Sequence, residues 1–314
     1  MTTPSIPTNT FAPSDRARSL VRGAYDLHIH VDPDVIGRRI TDLQLAQRFA
    51  DLGLRGFVLK SHYVPTAERA SVVREASGIH AIGAIVLNNA IGGMNPVAVE
   101  IAARGGARIV WMPTVDAANE ANELRDHQPG QKLPLWAVLQ HELHAQGFGL
   151  EPVHVVDDAG AVLPETRQVL RVIAARDLVL ATGHLSRDEI FAVVGAALEE
   201  GVRWIIVTHP DYPTQNLSIA DQIELATRGV YLERCVAPSV SGKVPWEKMF
   251  AAIRATGAAH SVLSTDLGQP KNPPVEDGLA LIADKLLEAG FSEPEVRTMA
   301  VLNTVKLATG KDAT

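Results

Sequence analysis

The chain has 314 residues, 46% of them hydrophobic and 21% charged, and a formal net charge of −7. That is ample apolar material for one large core, while an acidic balance with no basic run argues against a nucleic-acid partner, and no apolar run reaches the length of a membrane span. The one cysteine, Cys235, excludes an intramolecular disulfide framework and fits a reducing, cytoplasmic setting.

Residues 1–20 read as a loose N-terminal tail. Residues 1–16 are rich in Thr, Pro and Ser and lack the apolar core of a signal peptide. From there strand-like and helix-like runs alternate. The strand candidates are Tyr25–Val31, Arg55–His62, His80–Asn88, Arg108–Pro113, Leu178–His184, Trp204–His209, Val230–Cys235 and Ser261–Asp266. Most are rich in Val, Ile and Leu without polar alternation, as strands buried on both faces should be. Thr41 and Gly53 bracket one helical run, and Ser186 with Glu189 forms a capping box ahead of a run stopped by Gly201. Asn95–Arg104 ends at Gly105 and Gly106, and Ser218–Arg228 ends at Gly229. Eight alternations predict a (β/α)8 TIM barrel over residues 21–314. The rival, a doubly wound open sheet, usually carries a Gly-rich turn after its first strand, and none follows here.

The fourth and fifth strands are separated by a long connection, with an insertion at about 114–165. It contains the apolar stretch Leu133–His144. Asp157, Asp158, Ala159 and Gly160 then read as the turn of a β-hairpin between Val153–Val156 and Ala161–Leu163. An insertion at this face of a barrel reads as a lid or a substrate wall.

Barrel active sites form where strands end and the βα loops begin. Strand one carries His28 and His30. Alternate side chains share a face, so the two imidazoles lie roughly 7 Å apart along the strand and can grip one ion, with Asp26 one step deeper. Strand two carries Lys60 and His62 on one face. Strand five ends at His184, strand six at His209, strand seven at Glu233, Arg234 and Cys235, and strand eight at Asp266.

At this point the chain resembles the amidohydrolase superfamily of metal-dependent hydrolases, with a phosphotriesterase- or dihydroorotase-like pattern. The resemblance rests on Asp26, His28 and His30, on Thr182-Gly183-His184, on Thr208-His209-Pro210 and on Ser264-Thr265-Asp266, in the family's order. The run Met299–Gly310 is similar to the family's closing helix, so the match spans about residues 24–310. It implies that His28 and His30 bind the more buried metal and that His184 and His209 bind a second. It also implies that Asp266 both ligates metal and acts as general base. The family's two-metal members bridge their ions with a carboxylated Lys or a Glu, usually from strand four. Strand four here, Ile109–Pro113, offers neither. Lys60 is the natural substitute: a desolvated lysine has a lowered pKa, can be neutral, and can then add CO2 to become a bridging carbamate. Its alternative is a lysine paired with Asp26 or with substrate. The fallback is a one-ion site of His28, His30, Asp266 and one or both of His184 and His209.

Other residues carry weaker signals. His62 is equally a ligand, a substrate contact or a neighbour of the ligands. Glu233, costly to bury unpaired, belongs near the metals or with Arg234. Arg38 and Arg39 could clamp a substrate carboxylate or phosphate. Asn88 and Asn89 with Gly92 and Gly93 leave room for a ligand near the backbone. His141 lines the expected lid, and with His144 three residues on it makes no zincin motif. Arg234 is carried as a substrate contact.

The expected function is metal-dependent hydrolysis of an amide, lactam, lactone or ester in a small molecule. The divalent ion is expected to be zinc, with Mn, Fe or Co also admitted by His and Asp ligands. The alternatives are phosphotriester hydrolysis, one-ion decarboxylation, and metal binding without catalysis. The composition leaves room for a homo-oligomer.

Overall fold

The computed structural model describes residues 12–120, 133, 135–149 and 151–312. Its centre is an eight-stranded parallel sheet in the order β1 to β8. The strands are β1 (Tyr25–Ile29), β2 (Gly56–Leu59), β3 (His80–Val86), β4 (Ala107–Trp111), β5 (Val179–Ala181), β6 (Trp204–Val207), β7 (Tyr231–Cys235) and β8 (Ser261–Ser264). Every neighbouring pair from β1 to β8 is parallel. The ring is joined beyond the regular ladder by a parallel bridge between Ile29 and Leu267. Helices between the strands complete the (β/α)8 barrel.

The helix punctuation follows from local chemistry. Thr41 caps Asp42–Leu52 through a capping box with Gln44, and Gly53 ends that helix in the left-handed conformation. Ser186 and Glu189 form the expected capping box ahead of Arg187–Glu199. Ser218 does the same with Asp221 ahead of Ile219–Thr227. The apolar outer faces of the strands pack under helices: Leu27, Ile29, Phe57 and Val262 are buried in one cluster with Phe49 of Asp42–Leu52.

Three local expectations change. Residues 15–20, read as part of a loose tail, form the helix Asp15–Leu20. Ser14 caps it and also donates to Asp284 at 2.6 Å, while Ala17 is buried. The apolar stretch from Leu133 largely forms the helix Leu135–Ala145. The expected β-hairpin shrinks to one antiparallel bridge, Val156 to Val162, closed by Asp157 N donating to Ala161 O at 2.9 Å. Its first arm is diverted: Val153 bridges Ala117 in parallel instead.

The strands are shorter at their C-terminal ends than the sequence pattern suggests. His30, Lys60, His184, His209 and Asp266 all lie just past a strand end, in the first residues of the βα loops. Two of these turns are left-handed at a non-glycine residue, His209 at φ +25° and Asp266 at φ +52°. Such backbone is uncommon for residues with a Cβ and gathers at functional sites. Glycine is required beside two of the same residues. Gly183, at φ +60°, precedes His184, and a Cβ there would collide with the Met112 carbonyl oxygen. A Cβ on Gly268, at φ +131°, would collide with the carbonyl oxygen of His30.

Candidate metal centre

Three atoms from the first and last strands converge. His28 Nε2 lies 3.1 Å from Asp266 Oδ1, and His30 Nε2 lies 3.2 Å from the same oxygen. His28 and His30 are fully or almost fully buried, and the Asp266 side chain is 19% exposed, so the cluster opens on the aspartate side. The backbone seam aligns them: Asp266 N donates to His28 O at 2.8 Å, and His30 N donates to Leu267 O at 2.8 Å. Beneath, Asp26 accepts from Thr265 N at 3.0 Å and from Thr265 Oγ1 at 2.6 Å. Asp26 thus anchors the strand-eight turn and does not pair with Lys60.

Lys60 points into the same cluster. Its Nζ is 2.8 Å from His28 Nε2 and 5.2 Å from the centre of the Trp111 ring. Trp111, the last residue of β4, thus lies beside the lysine. On its other side His28 Nδ1 faces Glu233 Oε2 at 3.2 Å. A carboxylate on the outer ring nitrogen fixes the imidazole's tautomer and orientation and raises its basicity as a ligand. Glu233 therefore stands beside His28 and does not pair with Arg234. Cys235, on the same face, sits 4.0 Å from His28 Nδ1. Burial pushes its thiol well above the usual range, so it stays protonated.

The second pair of histidines stands alongside. The His184 and His209 rings are 5.0 Å apart, and His209 stacks on His28 at 6.2 Å. His184 Nδ1 lies 2.9 Å from Glu120 Oε1, and His209 Nδ1 lies 3.0 Å from Gln215 Oε1. The Glu120 contact lacks hydrogen-bond geometry, so it is on His209 that Nδ1 is engaged and Nε2 is left for an ion. His62 joins the group by stacking on His30 at 4.9 Å, its Nδ1 held 2.8 Å from Thr114 Oγ1.

Charge is distributed as a metal site would need. Burial holds the pKa of His62 and His184 well below the usual histidine range, and lowers that of His209 to about 3. These three rings are neutral. Burial also depresses Lys60, only partly offset by the Asp266 and Glu233 carboxylates. Burial and the lysine push His28 down too, yet Asp266 and Glu233 outweigh them and lift it to about 9. Burial would raise Asp266, but His28 and His30 hold it well below the carboxylate range. Flanked by Glu233 on Nδ1 and Asp266 on Nε2, the His28 ring is thus a place where positive charge is favoured.

The donor set fits a divalent ion. Bonds of about 2.1 Å at angles of about 90–109° place ligand atoms about 3.0–3.4 Å apart, and the observed 3.1 and 3.2 Å fall in that interval. Two imidazole nitrogens and a carboxylate oxygen suit zinc, manganese, iron or cobalt. Among the described residues the groups of three or more donors are His28, His30, Asp266 and His28, Glu233, Cys235. His184 and His209 belong to neither.

Other candidates lie elsewhere. Arg38 is nearly buried, its guanidinium 2.6 Å from Asp34, and its charge helps depress His30 after burial itself. Arg39 turns away and donates to the carbonyls of Pro270 and Asn272 at 3.1 and 2.9 Å. Asn88 is a clip: it donates to His62 O and Thr114 Oγ1 and accepts from Thr114 N, leaving nothing for substrate. Arg234 is fully buried on the outer face of β7, bound to Asp211 at 2.9 Å and Gln222 at 2.7 Å. Strand alternation sends Glu233 and Cys235 inward and Arg234 outward. His141 is exposed on the helix Leu135–Ala145. Sequence reasoning missed Glu120, Gln215 and Thr114, the partners of His184, His209 and His62. Gln215 and Thr114 come from irregular chain and Glu120 from the start of a helix in the insertion, where no periodicity marks a direction.

Solved structures share this architecture. An amidohydrolase from Pseudomonas aeruginosa superposes with a TM-score of 0.61 at 13% identity, covering 93% of this chain and 98% of that one. The probable dipeptidase PvdM from Pseudomonas aeruginosa gives 0.61 at 12% identity, covering 93% and 96%. An organophosphorus hydrolase from Deinococcus radiodurans gives 0.54 at 15% identity, covering 98% and 99%. At these identities the likeness is one of fold, and it is the fold of the superfamily that the sequence resembles. No curated protein matches the sequence. A family model described as a family of unknown function matches residues 23–233, from the first strand through Glu233. The chain therefore belongs to the family of unknown function DUF6282.

Proposed function

We propose that the chain is a metal-dependent hydrolase of a small molecule, acting on an amide, lactam, lactone or ester bond. The observation that carries this is the convergence of His28 Nε2, His30 Nε2 and Asp266 Oδ1 at ligand spacing, with neutral His184 and His209 beside them. His28, His30 and Asp266 would hold the first ion. His184 and His209 would hold a second if Lys60, buried and depressed in pKa, carries CO2 as a carbamate and so supplies the missing bridge. A divalent ion bound there lowers the pKa of water and polarises a carbonyl or phosphoryl oxygen.

The protein's own residues do the rest. Glu233 holds the His28 ring, while Glu120 and Gln215 hold His184 and His209. Asp266, anionic and the most open of the cluster, accepts a proton from water and returns it to the leaving group. The insertion, through Glu120 and Thr114, forms part of the wall and makes a substrate lid a natural role. Zinc is the first ion to test.

A one-ion decarboxylase is the second reading, because only one compact donor group excluding Glu233 and Cys235 exists among the described residues. It needs an arginine free to hold a carboxylate. Arg38 is engaged by Asp34 and Arg39 by backbone carbonyls, which keeps hydrolysis first.

The test is metal analysis of the purified protein followed by a hydrolysis screen of lactones, cyclic amides, dipeptides and phosphotriesters. These bond classes include those in the names of the structural neighbours. Turnover that chelation removes and metal restores is the expected result. Stoichiometric metal with decarboxylation alone would replace the reading, and absence of bound metal after loading would end it.

A further inference from the structure

A second cavity lies at the other end of the barrel. It is a half-open recess of about 500 Å³ lined by Arg55, Arg74, His80, Arg108, Lys311 and Asp312, among others. Arg55 immediately precedes β2, while His80 opens β3 and Arg108 follows the first residue of β4. In a parallel barrel all strands start at one end, so this cavity is remote from the metal centre. Along β2, Arg55 and Lys60 are roughly 16 Å apart.

The wall is basic in an acidic protein. Four permanent cations face one carboxylate, in a chain with 29 basic and 36 acidic residues. That carboxylate, Asp312, is already 3.0 Å from Lys306. Asp177 stands at the edge, 3.5 Å from Arg108 Nη1.

The cations are also positioned. Arg108 Nε donates to Leu307 O at 3.0 Å, and Nη1 donates to the Asp177 carbonyl. Its Nη2 is buried without a hydrogen-bond partner. Gly310, at φ +70°, packs its backbone against that nitrogen, where a Cβ would stand 3.3 Å away. Arg74 Nη1 donates to Ala81 O at 2.7 Å. Arg55 lies over the Tyr25 ring at 5.9 Å, and the Tyr25 hydroxyl is 2.6 Å from His80 Nδ1. Burial, then Arg74 and Arg55, lower the pKa of His80, which places both guanidiniums close to it. Like charges gathered in a recess repel one another unless an anion joins them. Guanidinium forks match the geometry of phosphate and carboxylate alike, and the volume is that of a small-ligand pocket.

We propose that this cavity binds a small oxyanion bearing at least two negative charges, at the end of the barrel away from the metal centre. The site is independent of the hydrolytic reading, since it shares no residue with it.

The test is calorimetric titration of the metal-loaded protein at fixed ionic strength, with inorganic phosphate in one arm and succinate in the other. Arg55→Gln and Lys311→Gln are the variants, because neither side chain holds a backbone carbonyl, whereas Arg108→Gln could cost the fold. Saturable binding of either dianion by the wild type, weakened about tenfold or more by each variant, is the expected result. The arm that saturates tells whether phosphate or carboxylate is the ligand group. Arg16→Gln, whose ion pair with Glu293 uses other residues, should bind as the wild type does. Failure of both dianions to saturate at millimolar concentration would overturn the proposal. So would binding that both variants retain at full strength.

Discussion

Lys60 Nζ lies 2.8 Å from His28 Nε2, so a lysine from β2 is aimed at the ligand atom of a histidine from β1. In an unmodified chain the ammonium competes with a metal ion for that nitrogen. As a carbamate the same side chain would offer an anion in place of a cation. Replacing Lys60 by Met is therefore expected to lower the number of bound ions by one. Turnover should fall by about two orders of magnitude, the scale of losing one ion's charge stabilisation. Plasma emission spectrometry counts the ions, and native mass spectrometry of the wild type should show the added CO2. Two ions retained by Lys60→Met would remove the lysine from the bridge.

Asp266→Asn keeps an oxygen ligand but loses the base. Metal content should stay near that of the wild type while turnover falls about 10²–10⁴-fold. Steady-state kinetics on metal-quantified protein reads both. A near-native rate would assign proton transfer to another group.

Glu233→Gln leaves the fold but weakens the hold on His28 Nδ1. Metal affinity should drop about 10–100-fold, as is usual when the partner of a ligating histidine is changed. Competition against a chromogenic chelator measures it. An unchanged affinity would mean that packing alone orients His28.

Asn88→Ala breaks the clip between the ends of β3 and β4. Thr114 N and Thr114 Oγ1, both buried, lose a partner, and so does the His62 carbonyl. A loss of about 2–4 kcal/mol of stability is expected, read from chemical denaturation. A loss under half of that range would show that water replaces the amide.

His80, at the remote cavity, gives a pH signature. Burial, then Arg74 and Arg55, hold its folded-state pKa below the ordinary 6.5. Above that value both states are neutral and its contribution is fully present. As pH falls, the unfolded imidazole protonates first, so stability is lost until the folded ring also takes a proton. Urea midpoints at about pH 7.5 and about pH 5.5 should therefore differ more for the wild type than for His80→Asn. Equal differences would mean that His80 titrates alike in both states.

The barrel and most of the centre were legible because β-strands have a period of two. His28 and His30 announce a shared face, and unbroken Val, Ile and Leu runs announce strands covered on both sides. The same alternation, applied to Glu233, Arg234 and Cys235, separates the inward glutamate from the outward arginine. Arg234, expected as a substrate contact, lies on that outer face, bound to Asp211 and Gln222. Glu120, Gln215 and Thr114 were not legible. Gln215 and Thr114 reach the histidines from loops and Glu120 from a short helical start in the insertion, where direction is set by tertiary contacts rather than by spacing. The basic cavity escaped for a related reason: Arg55, Arg74, Arg108 and Lys311 are scattered along the chain, and only the common starting end of the strands collects them.

The seam between β1 and β8 has a consequence for how the protein matures. His28 and His30 are made early, but Asp266 follows 238 residues after His28, and its backbone must dock on theirs before the three donors meet. A ribosome-bound chain that lacks its eighth strand has imidazoles and no cage. If these three donors hold an ion as proposed, its acquisition would be a late event that follows barrel closure, because the nascent chain would offer it only the two imidazoles.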